Sequence, residues 1–90
     1  DMLWFLNVSL PLHQFEAVER FKELVQDMPE VLECHHITGE FDYLLKAVFR
    51  NRDELQEFVV NKLTPIPGMA RINTSLVLIE IKATQQLPIG

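Results

Sequence analysis

Ninety residues make one domain, enough for a single hydrophobic core. The chain is 48% hydrophobic with 13 acidic residues against 8 basic ones, a net charge of −5. That balance argues against disorder, and against nucleic-acid binding by this segment alone, because counterion release needs clustered Lys and Arg. One cysteine, Cys34, excludes an internal disulfide framework and fits a reducing, cytoplasmic compartment. No apolar run reaches the ~20 residues of a membrane helix, and residues 2–6 lack the basic flank of a signal peptide. The chain opens on Asp1 directly in a strand pattern, which reads as the C-terminal piece of a longer protein.

Residues 2–10 read as a strand ended by Pro11, with Trp4, Leu6, Val8 and Leu10 on one wholly apolar face. Residues 14–27 read as a helix whose stripe is Phe15, Val18, Phe21, Leu24 and Val25, with Glu16 and Arg20 spaced to pair outside. Met28-Pro29 ends it. Residues 31–38 and 41–50 read as two strands folded back on Gly39, which takes φ > 0 at little cost. Residues 52–63 read as a second helix, N-capped by Asn51 with Glu54 in the capping-box position. Its stripe is Leu55, Phe58, Val59 and Leu63, and Pro65-Ile66-Pro67-Gly68 breaks it. Residues 69–82 read as a long last strand, and residues 83–90 show no period.

The order β-α-β-β-α-β predicts an α+β fold of ferredoxin-like type, an antiparallel sheet with both helices on one face. The other sheet face keeps several apolar side chains, so a homodimer of the α+β barrel type is expected.

Cys34-His35-His36 resembles metal-ligand chemistry, but neighbouring strand residues face opposite sides and a zinc site needs four ligands. His13 is the only other histidine, so no metal and no cofactor is expected. Cys34 as a nucleophile needs a lowered pKa and a base; the plainer reading is a small buried hydrophobe. Glu40 and Asp42 are read as solvated acids rather than a catalytic pair, and Arg50-Asn51-Arg52 as a solvated corner rather than a phosphate site. The stretch from Thr38 to Tyr43 is different. Its free backbone N–H groups and hydroxyls suit a carboxylate, and Asp42 suits an ammonium, so it can hold both ends of a zwitterion.

The run from Glu33 to Lys46 resembles the signature of the Lrp/AsnC family of transcription regulators from bacteria and archaea. Its hallmark is Gly, an acid, an aromatic, Asp, Tyr and two apolar residues, matched by Gly39, Glu40, Phe41, Asp42, Tyr43, Leu44 and Leu45. Pro29-Glu30-Val31, Pro67-Gly68 and Glu80-Ile81-Lys82 match further, so the resemblance spans the chain. It implies an effector-binding and oligomerisation domain over residues 1–90, with no enzymatic activity. It also implies dimers that build octamer-like assemblies, and amino acids bound between dimers. Carried over by position, Gly39, Glu40, Phe41, Asp42 and Tyr43 belong to that site, with Thr74 and Ser75 as further hydroxyl donors. DNA would be met only through a helix-turn-helix domain upstream, absent from this chain. A stand-alone amino-acid-binding module and a small dimeric α+β enzyme are the alternatives on the same architecture.

Overall fold

The computed structural model describes residues 1–11 and 14–84. Strand β1 (Met2–Ser9) is followed by helix α1 (Phe15–Gln26), strands β2 (Val31–His36) and β3 (Tyr43–Phe49), helix α2 (Arg52–Phe58) and strand β4 (Arg71–Leu76). All strand pairs are antiparallel, in the order β2-β3-β1-β4, which is the expected ferredoxin-like arrangement. His13 and the tail from residue 85 onward lie outside the described residues.

The period of two in β1 and β3 decides what is buried. Trp4, Leu6, Val8 and Leu10 meet Tyr43, Leu45, Ala47 and Phe49 on the helix side, each at most 4% exposed. Phe21, Val25 and Met28 from the first helical segment, and Leu55, Phe58, Leu63 and Ile66 from the second, close the core over them. Aromatic contacts fix the layers: the Phe21 and Tyr43 rings lie 4.3 Å apart, and those of Phe49 and Phe58 5.2 Å apart. Phe15, expected in the α1 stripe, is 74% exposed. Six residues before Phe21 at about 100° per residue, it stands roughly 120° round the helix from that anchor. Arg20 pairs with Glu23 rather than with Glu16.

The Asn51 cap is as expected: its Oδ1 accepts the Glu54 N–H at 2.9 Å. The Glu54 carboxylate turns to Arg50, accepting from its guanidinium and from its backbone N–H. The α-helical register ends at Phe58, and residues Val59–Leu63 form a wider π turn in which the Thr64 N–H reaches the Val59 carbonyl at 2.8 Å. Leu63 follows Phe58 by five residues, about 140° off the stripe in an α-helix; the wider turn returns it to the core.

Strand β4 is shorter than expected. It ends at Leu76, opposite Trp4; one more bond, Val77 N–H to the Leu3 carbonyl at 2.9 Å, uses up the start of β1. The alternating sequence continues, but within this chain the partner strand has run out. Leu78, Ile79 and Ile81 are therefore 77–94% exposed. Ile79 and Ile81 stand beside the open sheet face, where Leu3, Phe5, Leu44 and Val48 are half-buried. Strand β2 is an edge strand with a bulge between Val31 and Glu33 that turns Leu32 outward. His35 and then Lys46 beside Glu33 hold its carboxyl below the usual glutamate value, a charged edge that discourages further strand pairing.

Candidate functional site

The two strands of the central hairpin stop earlier than the sequence suggests, leaving a six-residue tip from Ile37 to Asp42. The tip is closed by the Ile37 N–H donating to the Asp42 carbonyl at 2.8 Å. Gly39 has φ +117°, a conformation side-chain-bearing residues rarely adopt, although the space its side chain would fill is open. The tip is then tied to the end of β1. The Asp42 N–H donates to the Val8 carbonyl at 2.9 Å, and the Leu10 N–H donates to Asp42 Oδ2 at 2.6 Å. A charge-assisted bond of that length fixes the carboxylate, and its other oxygen makes no hydrogen bond among the described residues.

From the other side Arg71, the first residue of β4, holds the tip down. Its guanidinium donates to the Glu40 carbonyl at 3.2 Å and lies 4.8 Å over the Phe41 ring. Among the described residues, the backbone N–H groups of Thr38, Gly39, Glu40 and Phe41 have no acceptor. Four free donors, a fixed carboxylate and a braced aromatic ring thus occupy one short segment. The segment can accept an anion on its backbone and a cation on Asp42.

Gly39, Glu40, Phe41 and Asp42 stand together at this tip. The Tyr43 side chain does not: it is 3% exposed, between Phe21 and the stacked ring of His36, whose centroid is 4.5 Å away. Its hydroxyl is buried with no hydrogen-bond partner among the described residues, and burial pushes its pKa up. Thr74 and Ser75 face opposite sides of β4, opposite Leu6 and Phe5 respectively. Thr74 lies on the helix side in a groove with α2, and Ser75 on the open face. The sequence does not single out Arg71, because its position depends on the pairing of Arg71 with Ser9, which periodicity alone does not set. A basic residue at the start of the strand after Pro67-Gly68 is the one available signal.

The neighbouring Cys34 is exposed rather than buried as expected, because β2 is an edge strand that the helices leave uncovered. Partial desolvation pushes its thiol above the ordinary cysteine value, the wrong direction for a nucleophile. Alkylation by iodoacetamide at pH 7 should therefore run several-fold slower than that of free cysteine, and should recover as pH rises into the thiolate range. A rate at or above that of free cysteine would contradict this. No group of three or more His, Cys, Asp or Glu able to hold a metal is formed among the described residues. No helix there is long and apolar enough to cross a membrane.

The profile described as the Lrp/AsnC ligand binding domain matches residues 3–87. The Bkd operon transcriptional regulator of Pseudomonas aeruginosa is 38% identical over 74 residues, which is 82% of this chain and 48% of that protein. The leucine-responsive regulatory protein of Escherichia coli is 31% identical over 89 residues, 99% of this chain and 54% of that protein. The chain thus spans about half the length of the curated relatives it matches. Among solved structures, a transcriptional regulator from Neisseria meningitidis in complex with L-Met superposes with a TM-score of 0.88 at 39% identity. That alignment covers 97% of this chain and 56% of the other.

Proposed function

The chain belongs to the Lrp/AsnC family, which it matches through the ligand-binding domain, and on that premise we propose that it is the amino-acid-sensing and oligomerisation domain of a transcription regulator. The observation that carries this reading is the tip itself. The free N–H groups of residues 38–41 receive the ligand carboxylate, and the unoccupied oxygen of Asp42, with Glu40 nearby, receives the ammonium. Thr74 and Ser75 are left out of this site, because Thr74 faces the groove beside α2 and Ser75 the open sheet face. The L-Met complex of the Neisseria relative supports the ligand class.

A tip exposed at the end of a sheet buries little of a small ligand by itself, so the site is completed by a second dimer. The dimer forms first, through the open sheet face with Phe5, Leu44 and Val48 and the exposed Leu78, Ile79 and Ile81. Dimers then meet at the tips, in octamer-like assemblies. An amino acid held between tips has different affinity for the assembled and separated states, so binding shifts the assembly equilibrium. A helix-turn-helix domain upstream converts that shift into altered DNA binding in the cytoplasm. The role is binding rather than catalysis, in keeping with regulator relatives and with the raised thiol of Cys34.

Calorimetry with the twenty amino acids, alongside light scattering, tests the proposal. At least one amino acid should bind and change the particle size. No heat and no change in size across the panel would overturn the sensing role.

A further inference from the structure

Between α2 and the free edge of β4, on the helix side of the sheet, lies an open groove of about 570 Å³ that contains no residue of the hairpin tip. Its helical wall is one face of α2 continued into the π turn: Arg52, Leu55, Gln56 and Val59 recur at helical spacing. Its strand wall is Ile72, Thr74 and Leu76, and the Trp4 indole closes the bottom. The volume suits a small molecule, and apolar walls with a few placed polar groups are what such sites require.

The charges in this groove are one-sided. No carboxylate lines it. Arg52 lies 6.0 Å from the centre of the Trp4 ring and makes no ion pair among the described residues. Arg20, Arg50 and Lys62 are each paired with a glutamate, and Arg71 is engaged at the tip. A guanidinium without an ion-pair partner, in a groove that also holds the amide of Gln56 and the hydroxyl of Thr74, supplies the donors a carboxylate requires. An ammonium placed there would be desolvated beside Arg52 with no acid to receive it.

We propose that this groove is a second ligand site, for an aliphatic monocarboxylate that lacks an ammonium group. The carboxylate pairs with Arg52 and takes hydrogen bonds from Gln56 and Thr74. The hydrocarbon lies along Leu55, Val59 and Leu76, over Trp4. The tip and the groove thus divide ligand chemistry between them: zwitterions at the first, plain carboxylates at the second.

Trp4 is the only tryptophan, so its fluorescence reports on this groove directly. The protein is titrated with 4-methylpentanoate, with leucine, which adds an α-ammonium to that skeleton, and with 4-methylpentanamide, which removes the charge. The fluorescence should change saturably with 4-methylpentanoate, and the other two should bind at least about tenfold more weakly. Arg52→Gln should raise the Kd for 4-methylpentanoate about ten- to a hundredfold with an unchanged circular dichroism spectrum. The same series followed by the Leu76 methyl resonances guards against a change in Trp4 emission caused by the substitution alone. Amino-acid binding by calorimetry should persist in Arg52→Gln, which separates this site from the tip. Three results would overturn the proposal: no saturable change up to about 10 mM, equal affinity for all three compounds, or an unaltered Kd in Arg52→Gln. A fluorescence change driven by protein concentration alone would also overturn it, assigning the groove to a second copy.

Discussion

Replacing Asp42 by alanine should lower stability by about 1.5–3 kcal/mol and abolish the response to the effector amino acid, whereas Asp42→Asn should retain most of the stability and lose only the response. Asp42 carries two tasks. Its Oδ2 accepts the Leu10 N–H at 2.6 Å, and its own backbone joins the tip to Val8 and Ile37, so alanine leaves a backbone donor at the end of β1 without its acceptor. Asparagine keeps an oxygen for Leu10 but no charge for an ammonium. Urea unfolding gives the first comparison and calorimetry the second. The amino-acid affinity of Asp42→Asn should fall about ten- to a hundredfold. Equal affinity in Asp42→Asn and the parent would confine Asp42 to a structural role.

Leu45→Ala should be more damaging still, at about 2–5 kcal/mol. Leu45 is fully buried in a central strand and pairs across to Leu6, which is also fully buried. Both lie in the sheet layer that Phe21, Leu55 and Phe58 cover, so no mobile loop is positioned to fill the void. For a domain of this size such a loss is a large part of the total. The denaturation midpoint should drop sharply with little change in slope. A loss below about 1 kcal/mol would mean the core collapses around the missing side chain.

The architecture was legible because β1 and β3 alternate cleanly and the two helices carry stripes of the right width. Four strand patterns and two helical ones in that order leave few topologies. Register was not legible. Nothing in the spacing says that Asp42 reaches Leu10 or that Arg71 reaches Glu40 and Phe41, yet those contacts set the shape of the tip. The tip residues were readable from their chemistry and from the family resemblance. Which way each side chain points follows only once β3 is seen to begin at Tyr43, which sends that ring into the core. The overlong last strand has a similar origin. Residues 77–81 keep the right composition, but a strand also needs a neighbour, and β1 supplies none past Leu3. Cys34 is exposed where its strand suggests burial, because edge and central strands can share one composition while differing in burial.

On the proposed function, the hairpin tip holds an amino acid. A crystal structure of the assembled protein with L-methionine, or with the amino acid that calorimetry selects, tests it most directly. The ligand carboxylate should lie on the N–H groups of residues 38–41 and its ammonium at Asp42, enclosed by a neighbouring dimer. An amino acid bound in the groove between α2 and β4, with the tips empty, would contradict it.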